Sequence, residues 1–280
     1  MTVTLGLVQM SMRDDPKKNV EKALDMIREA SRKGAQIVCL PELFNSPYFP
    51  QDEKVDASQY AETASGKTAR ALSQAALENR VILVGGSIFE VDGKRFYNTS
   101  LVFDQKGKEI GRYRKVHIPH DPNFFEQNYF TAGNEFKVID TTLGKIAVLI
   151  CYDQWFPEAA RICSLMGAQM IFYPTAIGLV DGVEQIEGDW QDAWTTVQRG
   201  HAIANGAAVI AVNRVGKERG MRFFGGSFVS SQFGTILAKG DSSEQVILAK
   251  ASKALGAHVR EGWRFFYNRR PDTYGKIVER

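Results

Sequence analysis

The sequence predicts an α/β fold in which two β-sheets pack face to face and helices cover the outside. Three observations carry this expectation. Short apolar, β-branched runs recur along the whole chain, and helical patterns separate them early and late. Between those regions lies a stretch of strands joined by hairpin-like breaks instead of helices.

The apolar runs occupy residues 3–8, 36–40, 81–84, 99–103, 146–150, 170–173, 208–212, 226–229, 235–237 and 246–248. Each is short enough for a strand and too short for a helix. Over residues 16–33, Val20, Ala23, Leu24, Ile27 and Ala30 recur at spacings of three and four, which gathers them on one helical face. Asp15 before Pro16 supplies an N-cap and first-turn proline, and Gly34 a stop. Residues 68–79, 157–166 and 189–204 read as helices in the same way, with Gly167 and Gly206 closing the last two. Residues 85–111 instead break at Asp92-Gly93 and at 105–107, where hairpins turn. No repeat, low-complexity tract or Pro/Gly/Ser linker interrupts the chain, so one domain over 1–280 is expected.

Composition narrows the partners. The 280 residues are 44% hydrophobic and 24% charged, an ordinary globular balance. Lys+Arg number 35 against 32 Asp+Glu, a net charge of +3 with both signs interspersed. That leaves no basic footprint for nucleic acid or an anionic membrane, and small molecules are the expected partners. No apolar stretch approaches the roughly 20 residues of a membrane span. The N-terminus reads as a first strand, not a signal peptide. Three cysteines, Cys39, Cys151 and Cys163, form no C-x-x-C pair and are odd in number. That argues against a disulfide scaffold or zinc knuckle and fits a reducing cytoplasm.

Three strand exits carry groups suited to catalysis. Cys151 ends the run KIAVLI just before a helix opening at Pro157, where a helix N-terminus or a cation would lower its pKa. Its bland reading is a small core residue, which Cys39 and Cys163 receive outright. Glu42 follows IVCLP, with Pro41 ending the strand and aiming the next side chain toward a crevice. Its bland reading is a solvated carboxylate. Lys115, in GRYRKVHIPH, is either part of a solvated basic edge or a cation that meets an oxyanion. His117 and His120 beside Asp121 offer a Cys–His pair or metal ligands, but no second ligand cluster accompanies them, and no metal is expected. His201 reads as structural.

The blocks LPELF, GRYRKVHIP and ICYDQWFPEAAR, in that order at three strand exits, closely resemble the three signature regions of the nitrilase superfamily, the carbon–nitrogen hydrolases. The resemblance continues through GAQMIFYPTAIG, RGHAIANGAAVIAVNRVG and GGSFVSSQFGTILA to RRPDTYG. It implies a four-layer αββα sandwich, an active site without cofactor, and homodimers that build larger oligomers, with residues from about 255 to 280 as a contact tail. It also implies catalytic roles for Glu42 as proton-transfer base, Lys115 as cationic stabiliser and Cys151 as nucleophile. Glu126, in FFEQNYFTAG, matches a second glutamate that supports catalysis in many members.

Within the superfamily, CYDQWFPEAAR and FYPTAIG resemble the N-carbamoylputrescine amidase branch, which releases putrescine, carbon dioxide and ammonia. Other N-carbamoyl amines or amino acids such as N-carbamoyl-β-alanine, and ω-amides, are the alternatives; a non-catalytic binding scaffold is the alternative from another class. Tyr152 and Trp155 are candidate substrate-binding residues. Where that branch carries an acid after TAIG, this chain has Val180, so Asp181 and Glu184 become the candidates for a substrate ammonium.

Overall fold

Alternation along the first strand sets the layering of the molecule, which a computed structural model describes for residues 2–279. In the strand Thr2–Gln9, Val3, Leu5 and Leu7 enter one core together with Val148, Phe172 and Ile210. Val8 enters another, with Val38, Leu83 and the helical residues Ala23, Ile27, Leu72 and Ala76. Successive side chains of a strand point to opposite faces, so one face meets a second sheet and the other meets helices.

The first sheet runs in the order Gln245–Ser252, Thr2–Gln9, Ile37–Cys39, Ile82–Val84, Arg95–Phe103, Ile88–Asp92, with Glu109–Arg114 also pairing Arg95–Phe103. Its three central strands are parallel and are connected through the helices Pro16–Arg32 and Lys67–Asn79. Asp15 caps the first helix by accepting from the amides of Lys17 and Lys18. The expected hairpins are present: Ile88–Asp92 pairs Arg95–Phe103, which pairs Glu109–Arg114, all antiparallel.

The second sheet runs Ile236–Lys239, Phe228–Ser230, Ala208–Asn213, Met170–Thr175, Gly144–Val148, Val138–Thr141. Its outer face packs on Ala159, Ala160 and Cys163 of the helix Pro157–Leu165 and on Ala202 of the helix Trp190–Asn205. Helix, sheet, sheet and helix make the αββα sandwich that the sequence implied.

One element departs from the sequence reading. A separate three-stranded sheet, Gly178–Val180, Met221–Phe224 and Val215–Glu218, stands beside the sandwich. Its hairpin turns at Arg219, whose φ of 51° is left-handed, and its charged residues mask the alternation. The segment from about 255 begins within a docked helix, Lys253–Trp263. Gly256 and Val259 are buried, and Arg260 donates to the carbonyls of Asn205 and Ala168. At its end Trp263, and beyond it Tyr267, Ile277 and Val278, are exposed. No helix among the described residues is long and apolar enough to cross a membrane.

Candidate active site

Four side chains from four chain segments converge between the two sheets. Lys115 Nζ donates to Glu42 Oε1 at 2.8 Å and to Glu126 Oε2 at 2.6 Å, and all three side chains are fully buried. Cys151 lies with them: its Sγ is 3.9 Å from the carbonyl oxygen of Ala176, and it shares a cavity wall with Glu126.

Local sequence explains each placement. Lys115 follows the strand Glu109–Arg114, and two-residue periodicity puts Tyr113 and Lys115 on the buried face. Arg114, on the other face, pairs with Glu90 and Asp92, so the basic run is split between a buried cation and a neutralised edge. Glu42 lies in the turn after Ile37–Cys39. Gly86, with φ of 60°, lets that turn approach: a Cβ there would lie 2.1 Å from the carbonyl oxygen of Pro41.

Cys151 opens the 3₁₀ turn Cys151–Trp155 with φ of 44°, a left-handed conformation that costs a residue carrying a Cβ. The turn is over-determined by its neighbours. Asp153 accepts from the Ile150 amide at 2.8 Å, the Tyr113 hydroxyl at 2.8 Å and the His117 amide at 3.0 Å. Gln154 accepts from the Trp194 indole at 2.7 Å, and its carbonyl lies 2.8 Å from His201 Nε2. His201 is thus structural, as expected. His117 Nδ1 lies 2.7 Å from Asp153 and its ring stacks on Phe156, which gives it no part in a Cys–His pair. Among the described residues no group of three or more His, Cys, Asp or Glu side chains forms a metal-holding cluster.

Two further groups complete the shell and were not anticipated. Asn98 Nδ2 donates to Glu42 Oε1 at 2.8 Å, and the Tyr48 hydroxyl donates to Glu126 Oε1 at 2.8 Å. An asparagine inside the strand run RFYNTSLVF was the available signal for the first. Glu42 Oε1 is therefore occupied twice, while its buried Oε2 accepts no hydrogen bond from the described residues.

Electrostatics correct one expectation. The thiol of Cys151 is not lowered; burial pushes it well above its ordinary value, Glu42 adds to the rise, and Lys115 only partly offsets it. Burial likewise pushes the Glu126 carboxyl up to about 7, with Lys115 opposing and Glu42 reinforcing the shift. Desolvation pulls Lys115 down, but Glu126, Glu42 and Cys151 more than reverse it and keep the ammonium charged. With the thiol's proton held this firmly, attack requires it to leave as the new bond forms.

A cavity of about 590 Å³ opens onto the cluster. Cys151, Glu126, Tyr152 and Trp155 line it together with Phe124 and Trp190, so both candidate substrate-binding residues, Tyr152 and Trp155, face this cavity. Its charged lining consists of Asp121, Glu126 and Glu187, without lysine, arginine or histidine among the described residues. Asp121 acts on Tyr152, whose hydroxyl is pushed up chiefly by burial and then by that carboxylate. Asp181 and Glu184 are not in the lining: Asp181 is exposed and pairs with Lys217 at 2.7 Å, and Glu184 is exposed. The strand Gly178–Val180 turns them away by placing Val180 on the cavity wall.

Fold and site together define a hydrolase acting on carbon–nitrogen bonds. The Carbon-nitrogen hydrolase family model matches residues 4–261, and the chain belongs to that family, within the nitrilase superfamily. It is 38% identical to an N-carbamoylputrescine amidase of Arabidopsis thaliana over 99% of this chain and 95% of the relative. It is 35% identical to a citrullinase of Francisella tularensis over 99% of each chain. The crystal structure of a carbon-nitrogen hydrolase from Helicobacter pylori superposes with a TM-score of 0.96 at 37% identity, covering 100% of this chain and 99% of that one.

Proposed function

We propose that this enzyme hydrolyses the ureido group of an N-carbamoyl amine, with N-carbamoylputrescine as the preferred substrate and putrescine, carbon dioxide and ammonia as products. The observation that carries this reading is a buried Cys–Glu–Lys–Glu cluster at the end of a cavity whose other charged walls, Asp121 and Glu187, are both acidic.

Cys151 Sγ attacks the ureido carbon while its proton passes to Glu42, whose Oε2 has an unused lone pair. Lys115 meets the oxyanion as charge develops. The carbon–nitrogen bond breaks as Glu42 returns the proton to the leaving nitrogen. Water, deprotonated by the same carboxylate, then cleaves the carbon–sulfur bond and frees the thiol and a carbamic acid, whose remaining carbon–nitrogen bond breaks as it loses carbon dioxide and leaves the amine, so one water is consumed in all. Glu126 holds Lys115 and the substrate in place. Tyr152 and Trp155 flank the carbon chain, and Asp121 and Glu187 attract the distal ammonium.

A substrate ending in a carboxylate would require a cation on the wall, which weighs against N-carbamoyl-β-alanine. The citrullinase relative keeps citrulline, which carries both an ammonium and a carboxylate, as the second reading. Ammonia release from N-carbamoylputrescine, citrulline, N-carbamoyl-β-alanine and a simple ω-amide tests the reading. The highest kcat/KM is expected for N-carbamoylputrescine; equal or reversed preference removes it. Three free, buried cysteines support action in a reducing compartment such as the cytoplasm. The exposed Trp263, Tyr267, Ile277 and Val278 support subunit contacts through the segment from about 255 to 280.

A further inference from the structure

Asn213 and Arg214 leave the strand Ala208–Asn213 of the second sheet, and both are fully buried although neither lines the cavity. A buried guanidinium is costly unless its donors are matched. Arg214 Nη2 donates to the carbonyl oxygens of Glu42 at 3.0 Å, Leu43 at 2.7 Å and Ser46 at 3.2 Å. Its Nη1 donates to Glu218 Oε1 at 2.7 Å. What it grips is a strained turn: Leu43 has φ of 45°, a conformation that a branched side chain rarely adopts. The Leu43 amide donates to Ser87 Oγ at 2.9 Å, so this residue is pinned at both its N–H and its carbonyl.

The same arginine reaches the second carboxylate. Glu218 Oε2 accepts from the Tyr48 amide at 2.7 Å, and the Tyr48 hydroxyl is the donor to Glu126. Asn213 grips the opposite wall. Its Oδ1 accepts from the Ile177 amide at 3.0 Å, and its Nδ2 donates to the carbonyls of Ile177 at 2.9 Å and Gly225 at 3.0 Å. Ile177 follows Ala176, whose carbonyl is the neighbour of Cys151 Sγ.

We propose that Asn213 and Arg214 are positioning residues that set the base against the nucleophile across the two sheets, Arg214 through the Glu42 turn and Asn213 through the Ala176–Ile177 segment. The proposal rests on Glu42 as base and Cys151 as nucleophile. A misplacement of about 1 Å in a catalytic group can cost on the order of a hundredfold in rate with little effect on binding. Lysine at 214 keeps the charge but lacks the planar fork that serves three carbonyls and a carboxylate at once.

The test is steady-state kinetics of Arg214→Lys and Asn213→Ala on folded, intact protein, with the folded fraction fixed by circular dichroism and gel filtration. Each is expected to lower kcat by about 10- to 100-fold with KM within about twofold. A merely structural role lowers the thermal midpoint and leaves kcat per folded molecule unchanged, and that result overturns the proposal. Where Arg214→Lys fails to fold, Glu218→Gln decides, since it loosens the grip on Arg214 while keeping the side chain's shape. Where Asn213→Ala fails, Asn213→Asp decides, since it keeps the acceptor for the Ile177 amide and removes the donor to the Ile177 and Gly225 carbonyls. A fall in kcat at constant KM supports positioning, and native kcat overturns it. Glu42→Gln measured alongside separates the two readings. Native turnover in that variant refutes the base assignment itself, whereas its inactivity beside a fully active Arg214→Lys refutes only the positioning role.

Discussion

Lys115 and Glu126 form an ion pair of 2.6 Å in which neither side chain reaches solvent. Glu42 lies on the other side of the same ammonium at 2.8 Å, so one cation stands between two buried carboxyl groups. Removing one partner of a buried pair leaves an uncompensated charge, a loss of roughly 3–5 kcal/mol. Lys115→Met is therefore expected to lose stability on that scale and to lower kcat by about a hundredfold or more through the missing oxyanion contact. Glu126→Gln keeps the shape and leaves Lys115 paired with Glu42, so its stability loss should be smaller. Urea unfolding midpoints and kcat of the two variants check the ordering; equal destabilisation contradicts it.

The raised Glu126 carboxyl makes stability depend on pH in a definite direction. Its folded-state value of about 7 lies above its ordinary value of 4.5, so the folded state binds more protons than the unfolded state between these limits. Stability from this group is fully present below about 4.5 and is lost as pH rises through about 7. The difference in unfolding free energy between the native protein and Glu126→Gln should fall across that window by an amount on the order of a few kcal/mol. A flat difference would show that the carboxyl titrates near its ordinary value.

Only one of the three cysteines opens to the cavity. Cys39 is sealed in a strand with its Sγ 3.4 Å from the Leu40 carbonyl, and burial pushes its thiol well above the ordinary value. Cys163 is sealed on the buried face of the helix Pro157–Leu165 and is pushed up to about 12, again by burial. Iodoacetamide should therefore inactivate the protein at one equivalent, with the mass label on Cys151, and Cys151→Ala should fold normally without turnover. A label on Cys39 or Cys163 accompanying inactivation refutes the assignment of the nucleophile.

The layering was legible in the sequence because it depends on periodicity. The 3.6-residue face of residues 16–33 and the apolar runs around Leu7, Val38 and Ile210 state locally which side is buried. The cluster was legible because Glu42 and Cys151 each follow such a run and, with Lys115, sit in recognisable blocks. What escaped is what tertiary contacts decide. Nothing local to Arg214 announces that its guanidinium meets the carbonyls of residues 42, 43 and 46, some 170 positions earlier. The strand Val215–Glu218 mixes lysine and glutamate into its alternation and pairs only within a small sheet. The thiol's pKa was misread for the same reason. Lys115 and both glutamates were visible, but the extent of burial, the largest cause of the rise, was not.

The acidic wall of the cavity gives the last prediction. Asp121 and Glu187 enter the lining from two separate loops, and no cation among the described residues balances them there. Both residues are exposed, so solvent screens them, and each should contribute only about 0.5–1 kcal/mol to holding a substrate ammonium. That corresponds to a two- to fivefold, roughly, rise in KM for N-carbamoylputrescine in Asp121→Asn and Glu187→Gln, with kcat little changed. Because exposed charges act through water, the effect should shrink as salt rises and the Debye length contracts below about 8 Å. An uncharged ω-amide supplies the control, since its KM has no ammonium to lose. Asp181→Asn and Glu184→Gln supply a second control: Asp181 is already paired with Lys217, and both carboxylates lie off the lining. Steady-state kinetics of the four variants at low and high salt distinguishes the walls. A KM that rises for Asp181→Asn or Glu184→Gln and stays native for Asp121→Asn and Glu187→Gln would move the ammonium site to the loop after Val180.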